Sequence, residues 1–335
     1  MATPACRGLR VAIMTDEIGW HTRQLQRALR ERGALGRCVD LADIDIDTQA
    51  SWHGLLVPGF GRELPDAAIV RGVAGGSFEQ VTKRLGVLHA LTALGVPVYN
   101  DARAIERCVD KSMTSLLLHA AGVPTPPTWA TESEARARRR VVREGAAGRS
   151  LVLKPLFGSQ GKGLQQVGEV DGRHQPLPAL DRHYGRLAYL QRFVPPLATG
   201  GAAGHDWRVL VIGGRAVAAM RRVSDHWVHN VAQGARCEAA ELTPALAGLA
   251  EAASAALQVD YAGVDLMPAA GRDPVLVLEV NGVAAWRGLQ QVTDFNIARA
   301  LVDDLIDRKL AGSHLHLREG AVRLPAATAR APRRA

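Results

Sequence analysis

The sequence predicts a mixed fold, α/β at the amino end and α+β beyond it, and three observations carry that expectation. The first hundred residues interleave helical stretches with short apolar runs that do not alternate with polar residues, the pattern of parallel strands covered on both faces. From about residue 187 the strands lengthen and follow one another directly, as in an antiparallel sheet. A length of 335 residues is about twice that of one compact domain, so two or three cooperating units are expected.

In chain order, residues 9–15 read as a strand and 20–32 as a helix, followed by strands at 37–41, 54–57 and 67–70. A helix opens at Phe78, where Ser77 and Gln80 have the spacing of a capping box, each able to satisfy a backbone N–H at the helix start. A strand at 97–99 ends this part. Ligands of such sheets gather beyond the carboxyl ends of the strands, where Asp16, Trp20, His21 and Arg71 fall. Residues 102–190 then read as a short helix, a helix over 111–121, a proline-rich turn at 123–128, a basic helix opening at Thr131 and Glu134, and a strand at 150–154 leading into a glycine-rich loop. Antiparallel strands are expected at 187–194, 207–212 and 216–222, a helix at 244–257, strands at 263–267 and 275–280, and a last helix over 294–310. The expected divisions are therefore 1–101, 102–190 and 191–312, with 313–335 as a basic, Ala/Arg/Pro-rich tail expected to be disordered.

With 47% apolar and 22% charged residues, the chain can bury a large core. Its formal charge of +8 raises nucleic acid or an anionic membrane as partners, so the location of that charge decides. Residues 132–149 carry six arginines against three glutamates and residues 313–335 five arginines against Glu319, which leaves the remainder at +1. The stretch 136–143 reads as the solvated face of a helix and not as a nucleic-acid groove. Cys6, Cys38, Cys108 and Cys237 lack the close spacing of a zinc knuckle or a redox pair, and read as reduced thiols. No apolar run approaches the ~18 residues of a membrane span, and 9–14 is too short for a secretory core, so a cytoplasmic protein without a membrane partner is expected.

Two groups of residues carry chemistry. Gly158-Ser159-Gln160-Gly161-Lys162-Gly163 follows directly on the strand ending in Lys154-Pro155. Glycines let backbone N–H groups approach phosphate oxygens, and a lysine at a strand end reaches the same anion; a structural hairpin turn is the competing reading. The loop is not a Walker loop, because the Gly-Lys-Ser/Thr ending is missing and residues 164–167 read as a strand. The second group is Asp265 with Glu279 and Asn281. Strand side chains alternate faces, so Glu279 and Asn281 point the same way. The turn-forming stretch 268–274 makes a hairpin, and pairing about its centre sets Asp265 opposite Glu279. Facing carboxylates repel unless a cation lies between them, and an all-oxygen set suits magnesium; a solvent-facing polar strip is the alternative.

Together the loop, Lys111, Lys154 and the Asp265/Glu279/Asn281 set resemble the ATP-grasp superfamily, and within it the RimK-like amino-acid ligases. Asp110-Lys111-Ser112, with Gly122-Val123-Pro124-Thr125-Pro126, resembles the family's entry to the nucleotide domain, and Val152-Leu153-Lys154-Pro155 with the glycine loop its phosphate-covering hairpin. Gln191-Arg192-Phe193-Val194 resembles the hinge whose backbone holds adenine, and His205-Asp206-Trp207-Arg208-Val209 the Asp-x-Arg strand. The resemblance implies an ATP-grasp fold, with an N-terminal parallel α/β domain and two α+β lobes enclosing ATP. It places ATP on Lys111, Lys154, Gly158, Ser159, Gln160, Gly161, Gly163, Gln191, Arg192, Phe193 and Val194, with ribose on Asp206 and the phosphates beside Asn230. It makes Arg208 and Arg222 the catalytic pair that binds substrate or acyl phosphate, and puts two Mg2+ (or Mn2+) ions on Asp265, Glu279 and Asn281. The sequence departs from the family at Arg192, where many members have an acidic residue, and at Val228-His229, where an arginine or threonine often stands.

The opening Thr15-Asp16-Glu17-Ile18-Gly19-Trp20-His21 and the late Glu279-Val280-Asn281-Gly282-Val283-Ala284-Ala285-Trp286-Arg287 look most like the branch containing tetrahydromethanopterin:α-L-glutamate ligases. That likeness implies ADP-forming ligation of an amino acid, glutamate, to a small-molecule carboxylate activated as an acyl phosphate, with the glycine loop as a lid. Asp16, Trp20, His21, Arg71 and Arg287 are then candidates for substrate binding, although Asp16 and Arg71 would equally make a structural ion pair and His21 a polar cap. Trp20, Trp227 and Trp286 either stack on a planar acceptor or pack as core. Two rivals stand: a RimK-like ligase acting on a protein or peptide terminus, and a non-catalytic nucleotide- or nucleic-acid-binding protein. The family analogy also raises a homo-oligomer.

Overall fold

The computed structural model describes residues 8–50, 52–158, 160–196, 204–270 and 274–312. Ser159 and the tail at 313–335 therefore lie outside the described residues. Four parallel strands make the first sheet, in the order Leu35–Val39 (β2), Arg10–Met14 (β1), Ala67–Val70 (β5) and Val98–Tyr99 (β6), with Asp45–Ile46 (β3) and Leu55–Leu56 (β4) paired apart. Every residue from Val11 to Met14 is buried, because the two faces of β1 serve two cores. Val11 and Ile13 pack with Leu25 and Leu29 of helix Trp20–Glu31 (α1), whereas Ala12 and Met14 pack with Val87, Leu88 and Leu91 of helix Phe78–Ala93 (α2). Both halves of the capping box form at the start of α2: Gln80 N–H donates to Ser77 Oγ, and Ser77 N–H to Gln80 Oε1.

Helices Ala102–Val109 (α3) and Lys111–Ala120 (α4) lead to an antiparallel sheet ordered Arg173–Gln175 (β10), Gln165–Val170 (β9), Ser150–Lys154 (β8), Ala188–Arg192 (β11) and Thr128–Thr131 (β7). Helix Glu134–Ala146 (α5), capped by Ser133, covers it with Ala137 and Val141 against Leu151, Leu153 and Leu190. Two expectations change here. The strand read as opening the following sheet pairs instead with β8 and β7, so a division at 190/191 would cut a strand; and β7, which the sequence reading lacks, runs from the last residue of the proline-rich turn to Thr131. Pairing partners are non-local, and an apolar run does not reveal which sheet it joins.

The third sheet runs Arg236–Ala239 (β14), Arg215–Ser224 (β13), Gly204–Ile212 (β12), Tyr261–Pro268 (β15) and Val275–Asn281 (β16), all antiparallel. Helix Pro244–Leu257 (α6) covers one face through Leu246, Ala250, Ala253 and Leu257. On the other face Leu210, Ile212 and Met220 share a core with α1 and with helix Ile297–Asp304 (α8), whose last turns at 305–310 are π-helical; Arg287–Gln290 (α7) precedes it. The expected last helix thus starts three residues later, where Asn296 accepts a hydrogen bond from Arg299 N–H. No helix among the described residues is long and apolar enough to cross a membrane.

The first and third sheets are joined through Asn100, which is fully buried. Its Nδ2 donates to the carbonyls of Tyr261 at 2.7 Å and Gly282 at 2.6 Å, and its Oδ1 accepts from the N–H groups of Asp260 and Tyr261. Arg32 adds an ion pair to Asp307, and the Tyr99 hydroxyl donates to Asp304 at 2.6 Å. Asn100→Ala strands four buried main-chain groups, and is expected to cost on the order of 3 kcal/mol. Urea unfolding of the variant measures it, and a midpoint unchanged from the parent would show that this contact does not hold the units together.

Candidate active site

A cleft opens between the second and third sheets. Lys154, at the end of β8, donates to Gln191 Oε1 at 2.6 Å, which leaves Gln191 Nε2 buried without a partner. Burial pushes the Lys154 ammonium down to about 8, against the opposing pull of Glu279. Lys111 stands at the start of α4, where Asp110 accepts from the N–H groups of Ser112 and Met113. Its Nζ donates to the carbonyls of Leu156 and Gly158 and lies 3.5 Å from Glu279 Oε1, so it holds the base of the glycine loop against the third sheet.

The loop is closed over the cleft. Gly161 has φ +70°, and a Cβ there would stand 2.8 Å from both Asn230 Oδ1 and Val228 Cγ1, so only glycine fits this approach. Gln233 Nε2 donates to the carbonyl of Gln160 at 3.2 Å and ties the loop to the far wall. Gly163 lies outside the lining; its carbonyl accepts from the Tyr184 hydroxyl.

The floor is a row of charges built by strand register. Asp206 pairs with Arg222, Arg208 with Asp265, and Asp265 with Glu279, across β13, β12, β15 and β16. Residues opposite one another share a face, so the five side chains stand together. Arg208 grips Asp265 through two bonds of 2.6 and 2.7 Å. Arg222 grips Asp206 at 2.7 and 2.5 Å, and also lies 3.1 Å from Asp265. Burial raises the Asp206 carboxyl to about 6 despite Arg222. Burial also opposes ionisation of Asp265, but Arg208 and Arg222 outweigh it and hold that carboxyl below its ordinary range. Each Asp206 oxygen thus accepts one bond from Arg222, so a sugar hydroxyl at this residue would share the carboxylate with that guanidinium. Arg208 and Asn281 are not among the lining residues.

Among the described residues no group of three or more His, Cys, Asp or Glu is placed to hold a metal ion. Of the expected ligands, Asp265 is engaged by Arg208 and Arg222, whereas Glu279 and Asn281 keep oxygens of the kind a hard divalent cation takes. Asn281 Nδ2 donates to the Gly263 carbonyl at 3.2 Å, which leaves its amide oxygen available, and Glu279 is held only by the 3.5 Å approach of Lys111.

At the hinge, Arg192 lines the cleft while its guanidinium donates to Glu144, 2.9 Å away and buried in α5, which also binds Arg149. This accounts for a cation where the family often has an acid. Phe193 meets Trp227 edge to face at 5.8 Å across the cleft. Trp227, Lys162, His229, Met267 and Leu278 also line it, though the sequence reading gave none of them a nucleotide role. Met267 was within reach, lying two residues beyond Asp265 on one face of β15.

Asp16, Trp20, His21, Arg71 and Arg287 do not line the cleft and gather elsewhere. Arg71 donates to the Tyr261 hydroxyl at 3.1 Å and the Ala284 carbonyl at 2.8 Å, and lies over the Trp286 ring at 4.4 Å. Trp286 is 1% exposed and is core. His21 Nε2 accepts from Trp286 N–H at 3.1 Å, and burial, with Arg71 and Arg287, pushes its pKa down to about 4. No ion pair joins Asp16 to Arg71 among the described residues. Asp16 and Arg287 remain exposed.

Comparison with known proteins agrees with this architecture. A family model described as a RimK-like ATP-grasp domain matches residues 108–305, and one described as a RimK PreATP-grasp domain matches 9–105. A tetrahydromethanopterin:alpha-L-glutamate ligase of Methanosarcina acetivorans is 31% identical over 87% of this chain and 97% of its own. The one from Methanocaldococcus jannaschii is 34% identical over 72% and 79%. Among solved structures, the ATP-grasp ligase PsnB with minimal precursor, Mg and ADP superposes with a TM-score of 0.63 at 22% identity, covering 89% of this chain and 97% of that one, which shows the fold.

Removing Arg222 would leave two buried carboxylates to one guanidinium. Arg222→Met is expected to lower stability by about 3–5 kcal/mol, read by chemical denaturation. A loss below about 1 kcal/mol would mean that water already compensates the pair.

Proposed function

The chain belongs to the RimK-like ATP-grasp family, and on that premise we propose that it joins L-glutamate to the carboxylate of a small-molecule acceptor of the tetrahydromethanopterin type. The family chemistry is ADP-forming amide-bond ligation with ATP and Mg2+. The observation that carries the reading is the row Asp206, Arg222, Asp265, Arg208 and Glu279 lying beside Lys111, Lys154 and the closed glycine loop. Three of the similar proteins bear this glutamate ligase name, which supports the choice of amino acid and acceptor.

In this reading the acceptor carboxylate attacks the γ-phosphorus of ATP, ADP leaves, and an acyl phosphate forms. The amino acid's α-amine then attacks the acyl carbon, and phosphate departs as the amide forms. Asp265, Glu279 and Asn281 would hold two magnesium or manganese ions, which when bound neutralise charge on the transferring phosphoryl group. Lys111 and Lys154 hold phosphate oxygens beside the loop, and the free Nε2 of Gln191 faces the nucleotide. Arg222, which lines the cleft, presents planar donors to the carboxylate and the acyl phosphate, while Asp206 positions Arg222 and Arg208 holds Asp265. Val228 and Asn230, packed against Gly161, help exclude the water that would hydrolyse an acyl phosphate. Acceptor binding falls to the exposed Asp16 and Arg287 and to Trp20, with Arg71 and His21 as their support. The nucleic-acid reading is not favoured: Arg138 is paired with Glu134, Arg149 with Glu144, and Arg140 lies over Trp129.

Purified protein given ATP, Mg2+, glutamate and tetrahydromethanopterin-type acceptors is expected to release ADP and phosphate, with the acceptor gaining a glutamyl mass. Glu279→Gln is expected to slow that release by about 100-fold or more. Formation of AMP and pyrophosphate would overturn the proposal.

Lys154 yields a second expectation. The free protein loses this charge as pH rises through about 8, so binding a phosphate above that pH requires proton uptake. ADP affinity should fall from pH 8 upward, calorimetry in two buffers of different ionisation heat should record the proton, and Lys154→Arg should flatten the profile. A flat parent profile would remove Lys154 from phosphate binding.

A further inference from the structure

The nucleotide reading calls for a partner to the sugar besides Asp206, each of whose oxygens already accepts a bond from Arg222. A ribose diol both donates and accepts, so its partner should have both capacities and be otherwise unengaged. Lys111 and Lys154 only donate, and Gln191 retains only an N–H. His229 meets the requirement. It lines the cleft, is 3% exposed, and neither Nδ1 nor Nε2 has a hydrogen-bond partner. Among the described residues no other side chain has two buried polar atoms left unpaired.

Its location also fits. Val228 and Asn230 pack on Gly161 of the phosphate loop, while His229 reaches Gly204, whose added Cβ would stand 3.3 Å from Nε2 and 2.5 Å from Pro196 Cβ. Gly204 opens β12 two residues before Asp206 and touches the chain leaving the hinge at Pro196. The ring is therefore set between the hinge, where adenine belongs, and the Arg222 end of the charge row. Burial, with Arg222, His205 and His226 nearby, pushes its pKa down to about 4, so the imidazole is neutral and offers one donor and one acceptor.

We propose that His229 hydrogen-bonds the ribose diol of the bound nucleotide and so selects ribonucleotides for this ligase. The proposal rests on the nucleotide reading above, and its test separates the two. Calorimetry with Mg2+ and ADP, 2′-deoxy-ADP or 3′-deoxy-ADP is run on the parent protein, His229→Ala and His229→Gln. The parent should bind at least one deoxy analogue roughly three- to tenfold more weakly than ADP, the worth of one hydrogen bond. His229→Ala should bind ADP and that analogue equally, and His229→Gln, which keeps a donor and an acceptor, should regain part of the preference. If the parent binds ADP without discriminating, or His229→Ala discriminates as the parent does, the assignment to His229 is wrong and the nucleotide reading stands. A parent that bound no ADP would sink both.

Discussion

Two carboxylates and two guanidiniums buried side by side set the terms for the rest of the site. Asp206, Asp265, Arg208 and Arg222 are tolerable in the third sheet only because their charges cancel within hydrogen-bond distance. That cancellation demands one pairing register across β13, β12 and β15, since a slip of one residue would turn every member to the opposite face. The opposite face belongs to α6 and its apolar partners, so the slip is doubly costly. Any cation arriving at Asp265 must also compete with Arg208 and Arg222 for the same oxygens, which places metal and arginine chemistry in one balance.

How much of this was legible depended on how local each cause is. The first sheet could be read because Val11 to Met14 carry their own signature, and the capping box of Ser77 and Gln80 because both halves lie within one turn. The facing of Asp265 and Glu279 could be read because a short hairpin links them. Asp206 is the contrast. Its partner Arg222 lies on the next strand, but nothing local says that a carboxylate near a cleft will also be gripped by a neighbouring arginine. The sheet that the strand at 188–192 joins and the turn of Arg192 toward Glu144 were hidden for the same reason, as both are settled by elements distant in the chain.

Arg71 shows how location misleads when it stands alone. It does fall beyond the end of β5, where ligands of parallel sheets gather, but its Nη1 is already engaged by Tyr261 and Ala284 and its plane lies over Trp286, with Nε buried and unpartnered. His21 closes the same assembly from the other side. A residue at a ligand-prone edge has to be counted for its partners before it is given a role.

The clasp at Asn100 has an evolutionary side. All four of its partners are main-chain atoms of Asp260, Tyr261 and Gly282, so this clasp constrains the backbone path there and not the side chains. Side chains tie the same joint separately: the Tyr261 hydroxyl donates to the Val70 carbonyl and accepts from Arg71, and Tyr99 reaches Asp304. Homologous amino-terminal segments could be exchanged between relatives only if each carried its own asparagine together with the partners of those side chains.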